Sequence, residues 1–386
     1  MAPSVIEAIS ETTQNIREKI APQSSDKTNN DDAKSQELPN SEKLSPSVVA
    51  PSVAPQEQHR VPLKLSGALD EFESFDVTPI IGREYVGVNL AEWIHAPNSD
   101  DLLRDLAITI SQRGVVFFRK QDDVTNDLQK ELHIHPVSNS GREHGGKDDE
   151  ISVISSAQAK KIYDRNFEAK NRQSAKEGWH SDITFEPIPS DYALLRLTEL
   201  PKTGGDTLWA SGYEVYDRIS KPVQKFLETL TATYAQPEFN KAAEKNGFKL
   251  YSAERGAPEN VGEKLEAFHP VVRTNPVTGW KSIFALGHHV SHINDLTTIE
   301  SDALLAWFLR LVVDNHDLQV RHRWENVNDL AIWDNRSNYH VATSDYINLG
   351  LGERAGQRAV SLGEKPYLDP ESTGRREGLE KLQKSE

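Results

Sequence analysis

Residues 179–209 constrain the fold and the chemistry of this chain more than any other stretch. Their core is His180-Ser181-Asp182, the one H-x-D among the 386 residues. In an extended strand, residues i and i+2 point to the same face, so an imidazole and a carboxylate would project side by side. These are two ligands of a 2-His-1-carboxylate triad, which holds iron and leaves one side of the metal open. The third ligand should lie on a strand far along the chain, and His340 in IWDNRSNYH is the candidate.

Four motifs follow one another in the order WHSDITFE, LPKTGGDTLWASG, IWDNRSNYH and RAGQRAVSLGEKP. A single H-x-D is often a surface histidine beside an aspartate, but four ordered motifs are far more specific. Together they resemble the taurine dioxygenase (TauD/TfdA-like) family of Fe(II)/2-oxoglutarate-dependent dioxygenases, over about residues 76–368. The resemblance implies a mixed α/β, mainly β fold with a double-stranded β-helix (jelly roll, cupin-like) core and flanking helices. The many short strands and few long helices of the chain fit that architecture.

The ends of the chain differ in composition from its centre. Residues 1–60 contain no aromatic residue and are rich in Ser, Asn, Gln, Asp and Glu. Such a segment buries too little apolar surface to offset the entropy lost on ordering. We therefore predict a disordered N-terminal tail over residues 1–70, a dioxygenase domain over 71–370 and a flexible C-terminal tail over 371–386.

Composition also limits the classes of partner. The net charge is -15, and no run of Lys and Arg indicates a nucleic-acid surface. The absence of cysteine excludes disulfides and thiolate metal sites. No apolar stretch is long enough to span a membrane, and the first residues do not fit a secretory signal, so we expect a cytoplasmic protein. A homo-oligomer stays open.

Several elements can be predicted between the motifs. A helix from about residue 99 should end at Gly114 and lead into the buried strand VVFFR. A second helix, over 213–230, should be interrupted near Pro222, and Thr297 with Glu300 matches a capping box. Residues 121–132 depart from the family, since the helix there is shortened. Residues 137–178 form a long polar connection, which predicts either a lid over the site or a plain surface insertion.

The resemblance implies that His180, Asp182 and His340 hold Fe(II). The co-substrates would be 2-oxoglutarate and O2, which are converted to succinate and CO2 as the substrate is hydroxylated. Two alternatives from other classes stay open: a zinc hydrolase that uses the same triad, and a binding protein with an inactive site. Asp334 and Asn335 are expected to orient His340.

The far carboxylate of 2-oxoglutarate needs a cation and a hydroxyl group. A guanidinium offers a two-pronged donor that lysine lacks. By resemblance, Thr207 is the hydroxyl partner, Arg354 the co-substrate arginine, and Arg358 the arginine that reaches both co-substrate and substrate. Extra residues around 348–352 lengthen the spacing from His340, so the two arginines could exchange roles.

The substrate pocket is expected at His135, Arg358 and the backbone of Ile183, which match the family's contacts to the substrate's sulfonate. A histidine and an arginine at one point favour a small organic anion, with an alkyl sulfonate as the first candidate and sulfite and an aldehyde as products. Lys176 and Ser138 stand where the taurine enzyme contacts the substrate's amine, which predicts poor turnover of taurine. Aryloxyalkanoates, sulfate esters and secondary metabolites are the alternatives.

Two further groups of side chains attract functional interpretations. Trp179 and Trp333 flank metal ligands, and core packing is the favoured interpretation for both. The HHVSH sequence and His269 form a second histidine cluster. Zinc binding is one interpretation of that cluster, but no fixed ligand spacing supports it, and hydrogen-bonded histidines are favoured.

Overall fold

The computed structural model describes residues 61–131, 151–157, 159, 176–247 and 249–385. Two strands and two helices begin this part of the chain, and the long β5 follows the H-x-D motif. The strands of the described residues are β1 Ser74–Asp76, β2 Arg83–Tyr85, β3 Val115–Phe118, β4 Ser152–Ser155, β5 Ser190–Glu199, β6 Thr207–Ser211, β7 Thr231–Ala235, β8 Glu266–Pro270, β9 Val272–Thr274, β10 Lys281–Ile283, β11 Val290–Ile293, β12 Gln319–His322, β13 Leu330–Asp334, β14 Asn338–Ala342 and β15 Ala355–Leu362.

Helices flank the strands, and most of them are short. They are α1 Leu90–His95, α2 Ser99–Arg113, α3 Asn126–Glu131, α4 Gly212–Asp217, α5 Lys221–Leu227, α6 Pro237–Asn246, α7 Thr298–Val313 and α8 Arg375–Ser385. Within the described residues, none of them combines the length and apolar character that a membrane crossing requires.

The strands form one large sheet and three smaller ones. The large sheet has the order β1-β2-β3-β13-β5-β15-β4, and all its pairs except β2–β3 are antiparallel. The smaller sheets have the orders β12-β6-β14, β11-β7-β8 and β10-β9. The metal motif connects these layers, because His180 forms a bridge with His340 on β14 while Asp182 leads through a short segment into β5.

The central core lies between the large sheet and the β12-β6-β14 sheet. Trp209 and Trp333 are almost completely buried there, with their ring centroids 5.6 Å apart. Phe117 packs edge-on to Trp209 from β3. Each Å² of apolar surface that such side chains remove from water stabilises the fold by about 25 cal/mol. This core packs against the metal ligands, because the Trp333 ring contacts that of His340.

Local signals position several elements as predicted. Gly114 ends α2 with φ 80°, and a Cβ there would lie 2.5 Å from the Asn338 side chain. Thr297 and Glu300 form the predicted capping box of α7. The helix over 213–230 is interrupted as expected, because α5 restarts with Pro222 in its first turn. The start of α2 differs slightly, since Asn98 rather than Ser99 occupies the N-cap and makes no capping bond through its side chain.

The two predicted tails reach less far than expected. The backbone amides of Ser66, Gly67 and Ala68 donate to the buried Asp105 carboxylate, so residues 61–70 include packed structure that was assigned to the N-terminal tail. At the other end, α8 replaces part of the flexible tail predicted for 371–386. Its Arg376 pairs with the buried Glu214 at 2.7 Å, a contact between distant segments that local composition does not reveal. Residues 1–60 lie outside the described residues.

Candidate active site

The three predicted metal ligands converge at one point. The possible ligand atoms of His180, Asp182 and His340 all lie within 4.8 Å of one another. The Nε2 atom of each histidine is 3.8 Å from a different oxygen of the Asp182 carboxylate. The sequence prediction that a local H-x-D meets a distant histidine therefore agrees with the geometry.

Backbone pairing fixes the distance between the two histidines. The His180 amide donates to the His340 carbonyl at 3.1 Å, and the His340 amide donates to the His180 carbonyl at 2.8 Å. Directly opposed residues of an antiparallel pair place their side chains close together. The imidazole ring centroids are accordingly 4.3 Å apart.

Both imidazoles are suited to bind a metal through Nε2. The Nδ1 atom of His180 lies 2.9 Å from the Gly178 carbonyl, which assigns its proton to Nδ1 and leaves Nε2 as the donor to a metal. Loss of hydration and the neighbouring His340 lower the pKa of His180 to about 3. Burial likewise lowers the pKa of His340 to about 4. Both rings are therefore neutral near pH 7.

The donor set fits Fe(II). Two neutral imidazoles and a carboxylate on one side of a point are the facial arrangement that non-heme iron sites use. The Oδ2 atom of Asp182 is buried without a hydrogen-bond partner among the described residues, and such an orphaned oxygen is costly unless a cation completes it. Burial is the strongest single influence and raises the pKa of this carboxyl, but the Arg358 guanidinium and the neighbouring histidines together outweigh it, so the pKa of Asp182 is lowered.

Asn335 does not orient His340 as the sequence analysis expects. Its Oδ1 accepts from the Asp182 amide at 3.1 Å and from the Trp333 indole at 3.0 Å. Asp334 instead forms a buried ion pair with Arg336. Both expectations are wrong because these two side chains are engaged elsewhere, and the His340 Nδ1 has no hydrogen-bond partner among the described residues. His340 packs against the Trp333 ring at a centroid distance of 4.9 Å.

Arg354 and Thr207 meet in a second, adjacent cluster. The guanidinium NH2 donates to the Thr207 hydroxyl at 3.1 Å, and Nε donates to the Gly205 carbonyl at 2.8 Å. Arg354 is buried, which lowers its pKa to about 10 and leaves it charged near pH 7. No carboxylate of the described residues forms an ion pair with it. Trp324, which no sequence motif indicates, also donates its indole N–H to the Thr207 hydroxyl at 3.1 Å.

Arg358 lies on the metal side of the site. Its NH1 forms a short ion pair with Oδ1 of Asp182, and its Nε is buried without a hydrogen-bond partner in the described part of the chain. The side chain is 16% exposed, so it borders the open space rather than the core. Arg354 and Arg358 thus approach the site at different places, and a register shift between Ala355 and Gly356 of β15 separates them.

The remaining predicted substrate contacts are described only in part. Ile183 follows Asp182 directly and has φ 58°, which is rare for a β-branched residue. Lys176 begins a short 3-10 helix, Lys176–Gly178, and is exposed. His135, Ser138 and most of the proposed lid lie outside the described residues.

The second histidine cluster is not a metal site in the described residues, where only the triad brings three such ligands together. His269 Nε2 contacts the carbonyls of Thr184 and Glu186 at 2.9 and 3.1 Å. His289 Nδ1 lies 3.0 Å from the Thr184 hydroxyl. These contacts support the hydrogen-bonded interpretation. His288 lies beside the triad, with its ring centroid 4.7 Å from that of His180.

Comparison with known proteins decides the family. The family model described as "Taurine catabolism dioxygenase TauD, TfdA family" matches residues 73–360, which are well over half of the chain. The chain belongs to this family. Alpha-ketoglutarate-dependent dioxygenase btcD of Neocamarosporium betae is 54% identical over 340 residues, which cover 82% of this chain and 98% of the relative.

Two more distant comparisons bear on fold and chemistry. The alpha-ketoglutarate-dependent sulfonate dioxygenase of Saccharomyces cerevisiae is 32% identical over 279 residues, which are 70% of this chain and 62% of that relative. A solved taurine dioxygenase from Burkholderia xenovorans is 23% identical with a TM-score of 0.59, covering 78% of this chain and 92% of that one. The structural likeness confirms the double-stranded β-helix fold.

Family membership establishes the type of reaction. The chain is a 2-oxoglutarate-dependent dioxygenase, an oxidoreductase that uses Fe(II), 2-oxoglutarate and O2. Membership of this family gives no support to the alternatives of a zinc hydrolase or an inactive binding protein.

Proposed function

We propose that this dioxygenase hydroxylates a small organic anion, with an alkyl sulfonate as the first candidate. Bound iron, together with 2-oxoglutarate and O2, supplies the oxidant that replaces a substrate hydrogen with a hydroxyl group, and succinate and CO2 are released. Hydroxylation of the carbon next to a sulfonate gives an unstable product that separates into sulfite and an aldehyde. This substrate class is consistent with the sulfonate dioxygenase relative.

In this proposal His180, Asp182 and His340 hold the iron. The backbone bridge sets the two imidazoles, and Asn335 fixes the backbone of Asp182, so the ligand geometry exists before the metal arrives. Such preorganisation avoids reorganisation during the reaction. Because the ligands come from one side, the other side is left for co-substrate and substrate.

Arg354 and Thr207 are proposed to bind the far carboxylate of 2-oxoglutarate. A hydroxyl has one proton and two lone pairs, and the Thr207 oxygen already accepts from Trp324 and Arg354. Its proton is then directed toward a further acceptor. A buried guanidinium beside that hydroxyl makes a site for a carboxylate, because charge-assisted bonds are the strong ones.

The charge balance of the site carries the proposal of an anionic substrate. A divalent iron, Arg354 and Arg358 would be opposed at the site by Asp182, since Asp206, whose charge also acts on Arg354, is already paired with Arg321. Dianionic 2-oxoglutarate would leave about one positive charge uncompensated among largely buried side chains, where charges interact more strongly than in water. One sulfonate or carboxylate neutralises it near Arg358. A neutral substrate would leave that charge unpaired.

His135, the Ile183 backbone and Arg358 are proposed as the contacts of that anionic group. The positive φ of Ile183 supports a special role for its backbone, since costly conformations concentrate at functional sites. Lys176 would disfavour an ammonium at the far end of the substrate, which is the reason to expect poor turnover of taurine.

The test is substrate-stimulated succinate formation with hexanesulfonate, taurine, an alkyl sulfate, an aryloxyacetate and a neutral alkane alcohol. We expect stimulation by anions with an apolar tail, with sulfite released from hexanesulfonate, and little stimulation by taurine. The His135→Ala and Arg358→Ala variants should lose the stimulation. Stimulation by the neutral compound alone, or indifference to both substitutions, would reject the anion site.

A further inference from the structure

The segment that follows Asp182 carries the metal ligand into β5 without regular secondary structure. It spans residues 183–188 and begins with Ile183 at φ 58°. A β-branched residue persists in this region only when its surroundings over-determine its conformation. Asn335 holds the chain at Asp182, because its Oδ1 accepts from the backbone amide of Asp182. A second anchor is therefore needed beyond Ile183.

Arg255 supplies one part of that anchor. Its guanidinium and the Glu186 carboxylate are 1% and 2% exposed, and they pair through both oxygens, with NH2 to Oε2 at 2.9 Å. The remaining nitrogen, NH1, donates to the carbonyls of Tyr251 and Gly262 at 3.1 and 2.9 Å. One side chain thus ties a distant loop, residues 249–265, to the segment after Asp182.

Asn260 supplies the other part. It is completely buried, its Oδ1 accepts from the Ile188 amide at 2.9 Å, and its Nδ2 donates to the Ile188 carbonyl at 2.8 Å. The Arg255 amide donates to the Asn260 carbonyl at 2.9 Å, so the two side chains are set by one turn of the loop. On the other face, His269 contacts the carbonyls of Thr184 and Glu186.

We infer that Arg255 and Asn260 are positioning residues for the metal ligand Asp182. Neither contacts the triad, and they act by holding Glu186 and Ile188, which fixes the course of the chain on the far side of Ile183. A buried fork-like ion pair and a two-way amide contact tolerate little displacement. The inference concerns metal affinity and does not depend on the identity of the substrate.

The test compares Arg255→Lys and Asn260→Ala with two matched controls. Val261→Ala changes an exposed residue of the same loop. Arg119→Lys weakens a pair with the fully buried Asp329, a contact that involves neither the triad nor residues 183–188. For each protein, Mn(II) binding is titrated without O2 by electron paramagnetic resonance, and Tm is measured with and without Mn(II). The half-saturating 2-oxoglutarate concentration is measured at saturating metal.

Both loop variants should raise the half-saturating Mn(II) concentration by roughly 10- to 100-fold, the range for residues that orient a ligand indirectly. The half-saturating 2-oxoglutarate concentration should change less than about twofold at saturating metal. Arg119→Lys should lower Tm with little effect on Mn(II) binding. If Arg255→Lys does not fold, Asn260→Ala decides alone. A lower Tm in the loop variants with unchanged Mn(II) affinity would overturn the inference and leave a purely structural role.

Discussion

Arg354 and Arg358 are four residues apart, yet their surroundings differ in the one respect that decides what each can bind. Arg358 is already paired with the carboxylate of Asp182. Arg354 is buried between the Thr207 hydroxyl and the Gly205 carbonyl, with no ion pair to a carboxylate of the described residues. Arg358 is therefore a partly neutralised cation beside the metal ligands, whereas Arg354 is a buried cation whose hydrogen-bond partners are neutral.

The difference has an energetic consequence. Burial lowers the pKa of Arg354 to about 10, which means that folding disfavours its charged form. The protein therefore carries a cation whose burial costs stability until an anion binds. Arg358 stabilises the ionised form of Asp182 even before a metal binds. The partner of each arginine, more than its position along the chain, therefore indicates its role.

The largest effect is expected from removing one of the metal ligands beside Arg358. His180→Ala, Asp182→Ala and His340→Ala should each abolish Fe(II) binding and turnover, because two remaining ligands hold iron weakly. Asp182→Glu should be severely impaired, since one added methylene displaces the carboxylate in a fixed site. Iron content and succinate formation are the measurements. Near-normal turnover in any one of the alanine variants would show that the triad is assigned wrongly.

The next largest effect should fall on the co-substrate end. Arg354→Met should raise the half-saturating 2-oxoglutarate concentration by roughly 30- to 900-fold, about 2–4 kcal/mol of lost charge-assisted bonding. Because Arg354 is a buried cation without an anionic partner among the described residues, the variant should keep or raise the Tm of the protein without ligand. Titration of succinate formation and thermal melts measure the two effects. An unchanged 2-oxoglutarate requirement would transfer this role to Arg358.

Arg358→Met should behave in the opposite way. Removing this guanidinium leaves Asp182 buried and unpaired, so the Tm of the metal-free protein should fall by more than that of the Arg354→Met variant. Addition of Mn(II) should recover most of the difference, because the metal replaces the lost counter-charge. Thermal melts of both variants with and without Mn(II) test this contrast. An equal Tm in the two metal-free variants would remove the distinction between the arginines.

The sequence predicts the residues that bind the metal and the co-substrate better than the contacts that hold those residues in place. His180, Asp182 and His340 could be found because a period of two residues and a family motif both indicate them. Thr207 and Arg354 follow from the ordered motifs, and they do meet in space. In each case the signal lies within a few residues of the chain.

The contacts that sequence analysis missed join segments far apart along the chain. Trp324 reaches Thr207 across the β12–β6 pair, and Arg255 reaches Glu186 over 69 residues. Asn335 was expected at His340 but holds Asp182, because a motif gives the residue and not the direction of its side chain. No local periodicity encodes such pairings, since tertiary packing selects them.

The smallest effect expected is that of Thr207→Val, and it sharpens the description of the Arg354 end. Valine has nearly the same shape but cannot accept from Trp324 and Arg354 or donate to a carboxylate. We expect a loss of about 1 kcal/mol of 2-oxoglutarate binding free energy, which corresponds to roughly a fivefold rise in the half-saturating 2-oxoglutarate concentration. Trp324→Phe removes only the indole donor and serves as the matched control.

If the Thr207 hydroxyl binds the co-substrate itself, Thr207→Val should weaken 2-oxoglutarate binding more than Trp324→Phe does. If it acts only as a support between the indole and the guanidinium, the two variants should have equal effects, and the double variant should add little to either. A double-mutant cycle on the half-saturating 2-oxoglutarate concentration separates these cases. A null effect of both substitutions would mean that Arg354 holds the carboxylate without the hydroxyl, as an isolated buried cation.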